Sequence, residues 1–302
     1  MGYSDLQQSV SDIFPGIEYR LDELMSKHTS LRIGGPAEVM LFPRRPEELS
    51  LVLKESKKMD ISFAILGAGT NVLAPDKGVP GIVICLKDGM DGMTKLDDTH
   101  IRVMSGVTMS RAAVFAANNG LAGMEFAHGI PGTVGGGVYM NAGAYGGEIG
   151  RICENVLVMD REGNTRECSR EEMQFSYRHS ALEDSGEIVI RADFVLTPDS
   201  PEAIKQRMKE LLAKRSASQP LDLPSAGSAF KRPVGGYAAA LIDEAGLKGF
   251  RVGNAGISAK HAGFAVNLGG ATAEEMKTLL REVSEKVYHH SGIRLEPEIR
   301  IW

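Results

Sequence analysis

Three observations frame the fold of this chain, and the first predicts an α+β class. Helical and extended patterns are interleaved without the strict strand–helix alternation that marks a doubly wound parallel sheet. The 302 residues, 43% hydrophobic and 24% charged, suffice for one large or two to three small globular domains, each with its own core. Eight glycines fall in the nineteen positions from Gly129 to Gly147. Such a density costs backbone entropy and is repaid only where the chain turns sharply or lies close to something else.

Taken in order, residues 1–27 read as a loosely amphipathic lead-in. His28–Pro43 gives a Gly-Gly-Pro turn and then a strand over Val39–Phe42. Pro46 with two following glutamates opens a helix that sets Leu49, Val52 and Leu53 on one face. A short apolar strand, Ser62–Leu66, runs into GAGTN (Gly67–Asn71), and another strand covers Gly81–Leu86. The strand HIRVM (100–104) leads to Thr108, the expected cap of a helix ended by Gly120. NVLVMD (155–160) and TREC (165–168) flank a turn at Arg161–Asn164, so a hairpin is expected. In EIVIRADFVL (187–196), Ile188, Ile190, Ala192, Phe194 and Leu196 alternate as in a strand. Pro198–Pro201 marks a boundary. Beyond it come a helix over Glu202–Ser216, a Pro- and Gly-containing stretch (220–236), a small-residue helix near Tyr237–Ala245 and the strand FAVNL (264–268). A long amphipathic helix then uses Met276, Leu279, Leu280, Val283 and Val287. The last ten residues read as a strand with Leu295, Pro297, Ile299 and Ile301 on one side and Glu296, Glu298, Arg300 and Trp302 on the other. There is no internal repeat.

A formal net charge of −5 and a pI near 5.9 give no general attraction to nucleic acid or an anionic membrane, so a bound phosphate must be met by a local site. The N-terminus lacks the basic and apolar regions of a signal peptide, and no apolar run reaches the ~18 residues of a membrane span. A cytoplasmic protein is expected. Met1-Gly2 resembles a myristoylation start, but Leu6 stands where Ser or Thr is needed. Cys85, Cys153 and Cys168 have neither CxxC spacing nor an even count, so they are expected to be buried or half-buried thiols, with no disulfide and no metal site.

A flexible linker is the plain alternative for the glycine-rich run, but Ile130, Pro131, Val134, Val138, Tyr139 and Met140 do not suit one. A loop whose successive N–H groups cradle an anion such as a diphosphate fits better. The chain has no GxxxxGK[ST], no HExxH and no GxSxG, which removes the usual P-loop, zinc-protease and serine-hydrolase readings. Gly67-Ala68-Gly69-Thr70-Asn71 begins like GxGxxG, but Val72 occupies the third glycine position. Two glycine loops without a dinucleotide fingerprint are therefore expected to hold one phosphate-bearing ligand.

Six motifs stand in this order: GAGTN, GIPGTVGGGVYMNAGAYGGEI, SYRHS, AGSAFKRP, NAGISAKHAGFAVN and LEPEIRIW. Together, over about His28–Trp302, they resemble the UDP-N-acetylenolpyruvoylglucosamine reductase family, and its shorter branch in having Arg232 after Lys231. Ala68 and Thr70 stand where the family more often has Gly and Ser. The resemblance implies a two-subdomain FAD-binding fold of the vanillyl-alcohol oxidase type over 1–198, with subdomains of roughly 20–88 and 89–198. An α+β substrate-binding domain would follow over 199–302. It further implies noncovalent FAD, NADPH as reductant, and UDP-N-acetylglucosamine enolpyruvate as the substrate reduced to UDP-N-acetylmuramate. A monomer that binds no nucleic acid or membrane is expected.

The resemblance carries residue roles with it. The expected cofactor contacts are Gly67, Ala68, Gly69, Thr70 and Asn71, then Gly129, Ile130, Pro131, Gly132, Thr133, Gly136, Asn141, Ala142 and Gly143. Arg178 in SYRHS matches the catalytic arginine, whose planar charged fork suits a carboxylate gaining charge. Ser228 matches the proton donor, and Glu298 the third catalytic residue. Glu296 shares the polar side of the expected strand with Glu298. Lys231, Arg232, Lys260 and His261 are expected at the substrate's nucleotide diphosphate, whereas His28, His128 and His179 read as structural. Each of these side chains also has an ordinary reading, as a salt-bridged arginine, a turn serine, a solvated strand glutamate or surface lysines. Two rivals from other classes remain: a flavin oxidase of small alcohols and a non-catalytic nucleotide-sugar binding module.

Overall fold

The computed structural model describes residues 3–87 and 89–302. The myristoylation reading at Met1-Gly2 and the subdomain boundary expected after residue 88 fall on residues outside those described. The chain divides into two compact units. One comprises Met1–Leu21, Val39–Ala68 and Gly81–Lys214, and the other Asp22–Glu38, Gly69–Pro80 and Arg215–Trp302.

The first unit is built around an antiparallel sheet in the order Thr165–Ser169, Cys153–Met159, Ile188–Val195, His100–Met104, Met93–Lys95. The expected hairpin is its first pair, and the short strand Met93–Lys95 is an addition at its edge. The helix Met109–Asn118 begins at Thr108, whose hydroxyl accepts the Arg111 N–H at 3.3 Å, and buries Met109, Ala112, Ala113, Ala116 and Ala117. These small residues share a core with Ile101, Val103, Val156, Ala192 and Phe194. A second core joins Leu6, Val10 and Phe14 to Leu49, Val52, Leu53, Ile82 and Ile84. Each large aliphatic side chain fully buried there stabilises by about 1.5–3 kcal/mol. The lead-in is thus a helix, Tyr3–Ile13, followed by a strand, Glu18–Leu24. Strands Phe63–Leu66 and Val79–Cys85 pair in parallel.

In the second unit the sheet order is Ser225–Ser228, Phe264–Asn267, Ala255–Ile257, Arg251–Val252, all antiparallel. The helix Ala273–Ser291 buries Met276, Leu279, Leu280, Val283 and Val287 in its core. Thr272 and Glu275 form a capping box at the start of that helix. The Asp76 carboxylate adds two further acceptors, taking the Ala273 N–H at 2.8 Å and the Glu274 N–H at 3.2 Å.

The unit boundaries differ from the sequence expectation of a division at 198/199. The helix Pro201–Ser218 starts in the first unit because Ile204 and Met208 belong to its core. Arg207 also donates to the Glu125 carboxylate at 2.7 and 2.9 Å and to Asp199 at 2.7 Å. Segments 22–38 and 69–80 join the second unit through Leu31, Ile33 and Leu73. Local sequence pattern carries no sign of either long-range attachment.

The expected C-terminal strand also needs correction. Only Arg300–Ile301 is regular strand, and the period of two fails: Leu295 and Ile299 are buried, whereas Pro297 is exposed and Ile301 is 48% exposed. The cause is a change of partner. Glu296 O accepts the Lys231 N–H and Ala229 O the Glu298 N–H; past Glu298 the chain turns to Asn71 and Leu73, whose carbonyls accept from Arg300 and Trp302.

Among the described residues no helix is long and apolar enough to cross a membrane. All three cysteines are free and buried, and burial pushes the Cys153 thiol up to about 12, so this group stays protonated and inert.

Candidate active site

In the first unit the glycine-rich run is not one open loop, which corrects the sequence reading. Val134–Tyr139 is a short helix capped by Thr133, whose hydroxyl accepts the Gly136 N–H at 3.4 Å. Glycine inside a helix costs about 1 kcal/mol relative to alanine, and here close packing explains it. A Cβ on Gly135 would lie 2.9 Å from the Ser105 Cβ, and one on Gly137 2.7 Å from the Met109 Sδ. The N–H groups of Val134, Gly135 and Gly137 donate to Val107 O, Ser105 O and Thr133 O. The turn just before this helix, Gly129–Gly132, stays at the surface with Pro131 exposed. Gly67 sits against it: a Cβ there would come 2.6 Å from the Thr133 hydroxyl oxygen. Gly67, Ala68, Ile130 and Gly132 are all half-buried.

Arg178 lies in the same unit on a tight turn. Ser176 and His179 exchange both backbone hydrogen bonds, at 3.1 and 3.2 Å, leaving Tyr177 and Arg178 at its tip. Arg178 has φ +56°, a left-handed conformation that costs a non-glycine residue about 1–2 kcal/mol. The turn is tied to the glycine-rich run at three points. Arg178 Nη2 donates to Gly143 O at 3.1 Å, Asn141 Nδ2 to Ser176 O at 2.8 Å, and Ser180 Oγ to Tyr139 O at 2.8 Å. The guanidinium carbon lies 5.1 Å from the centre of the Tyr177 ring. The arginine is thereby half-buried and fixed.

The second unit holds the other two candidates. Ser225 pairs with Val266 and Ser228 with Phe264, so three steps on one strand face two on its partner. That is a bulge, which re-aims the side chain it precedes, and Ser228 emerges exposed. Its neighbour Ala229 donates to Gly263 O at 2.8 Å and accepts from the Glu298 N–H at 2.9 Å. Glu298 is held on its other side too, since its carbonyl accepts from Asn71 Nδ2 at 3.1 Å. The Glu298 backbone is thus held beside the residue that follows Ser228. The Gly69 turn is gripped from beneath: a Cβ there would meet His28 O at 2.0 Å, and Ser30 N donates to Gly69 O at 3.0 Å.

Comparison with known proteins places this arrangement. Residues 219–302 match the model for the UDP-N-acetylenolpyruvoylglucosamine reductase C-terminal domain, and residues 37–169 match an FAD binding domain. UDP-N-acetylenolpyruvoylglucosamine reductase from Streptococcus pneumoniae strain 70585 is 41% identical over 296 residues, 98% of each chain. That of strain Hungary19A-6 matches to the same extent. The chain belongs to the UDP-N-acetylenolpyruvoylglucosamine reductase family. The solved reductase from Thermus caldophilus superposes with a TM-score of 0.78 at 36% identity, covering 95% of this chain and 98% of its own. An alkyldihydroxyacetonephosphate synthase, 14% identical with a TM-score of 0.50 over 66% of this chain and 41% of its own, shares the fold alone.

As a member of this reductase family the chain is an oxidoreductase that uses FAD and NADPH. The residues present fit the cofactor's diphosphate chemically. Neither Gly67–Asn71 nor Gly129–Gly147 contains a charged side chain, so neither loop itself sets a carboxylate against an anion. The half-buried turns at Gly67–Ala68 and Gly129–Gly132 carry few side chains, and such turns let a ligand approach the backbone closely.

Of the expected diphosphate ligands, Lys231 is ion-paired with the exposed Glu296, and the Arg232 guanidinium stacks on Tyr237 at 4.0 Å. Lys260 Nζ donates to Ser216 O at 2.7 Å. His261 Nδ1 accepts the Gly263 N–H at 3.1 Å, and its ring meets Phe264 edge-on. Burial pushes its pKa down, so it is a neutral ring with its proton on Nε2. Sequence reasoning missed two features: Asn71 spends its amide on Glu298, and the His28–Ser30 segment holds Gly69. His28 itself pairs with Glu23 at 2.9 Å. The only signal for either was the proximity of small, polar and glycine residues in HTSLRIGG and GAGTN.

Proposed function

We propose that this chain reduces the enolpyruvyl double bond of UDP-N-acetylglucosamine enolpyruvate to give UDP-N-acetylmuramate. As a step of peptidoglycan precursor synthesis, the reaction would serve cell-wall formation, cell shape and division. The FAD-binding region is assigned to 1–198 and the substrate-binding domain to 199–302. FAD, when bound, supplies two-electron chemistry between NADPH and the substrate. The chain works as a cytoplasmic monomer, a compartment supported by its three free thiols.

Hydride addition at the terminal carbon leaves charge at the carbon beside the carboxylate, delocalised into it. Arg178 binds that carboxylate and gains attraction as its charge grows, which favours the transition state over the ground state. Ser228 gives its hydroxyl proton to the carbon. An alcohol is a weak acid, so the step relies on the basicity of that carbon and on the nearby Lys231 and Arg232. Glu298 helps polarise the carboxylate, and repulsion between the two anions is avoided either by a proton on Glu298 or by a cation between them. Lys231, Arg232, Lys260 and His261 meet the nucleotide diphosphate. The observation that carries the reading is the left-handed turn that presents Arg178 and is tied to the glycine-rich run at three points, which holds the guanidinium in one place.

The test is twofold. The purified protein is expected to be yellow and to consume NADPH only when the enolpyruvyl sugar nucleotide is added. In Ser228→Ala, NADPH still bleaches the flavin, but reoxidation by that substrate slows about 10³-fold. Unchanged reoxidation would remove Ser228 from the role. A colourless protein that binds UDP-sugars, or oxygen uptake with an alcohol and no need for NADPH, would replace the whole reading.

A further inference from the structure

Asn141 is 1% exposed and has φ +43°, so a non-glycine residue is held left-handed in the interior of the first unit. Its side chain is spent on protein. Oδ1 accepts the Gly150 N–H at 2.8 Å, and Nδ2 donates to Ser176 O at 2.8 Å. Ser176 is the residue that closes the Arg178 turn with His179. Two residues further along the glycine-rich run, Gly143 O accepts from the Arg178 guanidinium itself. Asn141 therefore joins, through one amide, the helix start at Gly150, the base of the arginine's turn and the strand that takes the guanidinium. We propose that Asn141 is a positioning residue for Arg178: its amide sets where the guanidinium meets the substrate's carboxylate, and its side chain does not serve as a cofactor ligand.

The chemistry of the amide explains why this residue type stands here. The site needs one donor for a carbonyl and one acceptor for an N–H on a residue that tolerates positive φ, and asparagine alone combines these at that size. Aspartate would keep the shape and the acceptor but set a carboxylate oxygen against Ser176 O. Glycine would keep the backbone and leave both partners unsatisfied. In both variants the turn is released and the arginine moves, while the turns at 67–68 and 129–132 keep their own hydrogen bonds.

The inference rests on Arg178 binding the carboxylate, and the experiment separates the two ideas. In holoenzyme of Asn141→Asp and Asn141→Gly, flavin reduction by NADPH and the FAD dissociation constant should stay within about threefold of the original protein. Reoxidation by the enolpyruvyl substrate should slow about 10–100-fold, the size of effect that misplacing a binding group by about 1 Å produces. Binding of UDP-N-acetylmuramate, followed by the shift it causes in the flavin spectrum, should weaken in step. Combined with Arg178→Lys, either change should add little further, because the two residues act as a unit. Unaltered reoxidation in both variants, where Arg178→Lys alone is slow, overturns this proposal and leaves the arginine's role intact. Parallel losses in FAD affinity and both half-reactions, or failure of both variants to fold, also overturn it, since Asn141 would then hold the cofactor or the fold. Normal reoxidation in Arg178→Lys defeats the assignment of the arginine, and this inference with it.

Discussion

The surroundings of Arg178 and those of Ser228 and Glu298 solve different problems. In the first unit a permanent charge on a long side chain is fixed by a left-handed turn, a buried asparagine and a backbone carbonyl acceptor. In the second, Ser228 stands exposed beyond a bulge, and the Glu298 backbone is held by Ala229 and Asn71. The difference follows from the side chains. A guanidinium has many rotamers to lose and must be held against them, whereas a serine hydroxyl has one χ angle, so placing its backbone nearly places the group.

The sharpest way to break this comparison is Arg178→Lys. A lysine keeps the charge but not the fork that reaches both a backbone carbonyl and a carboxylate. Reoxidation of reduced flavin by substrate should fall about 10²–10³-fold, with NADPH reduction little changed. Stopped-flow absorbance measures both, and a loss under tenfold would mean that charge alone suffices.

Glu298→Gln against Glu296→Gln comes next. The hydrogen bonds from Glu298 to Ala229 and Asn71 use its backbone, so the glutamine variant keeps them and should lose about 10²-fold in kcat. Glu296 is 70% exposed and paired with Lys231, an interaction of about 0–1 kcal/mol. Its variant should alter KM for the sugar nucleotide less than about fivefold. Equal losses would show that the backbone clamp does not distinguish the two glutamates.

The smallest effect concerns pH. His261 has its pKa lowered in the fold by burial, so the unfolded chain takes up a proton first as the solution is acidified. Its contribution to stability is therefore complete above about pH 6.5, the ordinary histidine value, and is lost as pH falls below it. Thermal unfolding from pH 8 to pH 5 should show a steeper loss in the original protein than in His261→Gln. Parallel curves would mean that the ring is not desolvated.

Much of this was legible in the sequence. Thr108 precedes residues that need a cap, and its hydroxyl accepts the N–H three positions on. The helix with Met276, Leu279, Leu280, Val283 and Val287 buries those side chains. The glycine-rich run marked a special backbone, but sequence could not divide it into a surface turn and a helix packed too closely for Cβ atoms. Glu296 and Glu298 share a side in any period-two reading. They are told apart only by tertiary partners: Glu296 is exposed and ion-paired with Lys231, whereas the Glu298 carbonyl accepts from Asn71 where the chain changes partners.

Residues a turn or less apart determine caps, helix faces and turns, and these the sequence alone determined, along with the ordered motifs that mark the family. Tertiary structure decided which distant segments complete each unit and which groups hold the reactive side chains. Asn141 reaches Ser176 across 35 positions, and Asn71 reaches Glu298 across 227. Pairings of that length are chosen by how two cores close, a free energy summed over many side chains, so no local pattern of residues records them.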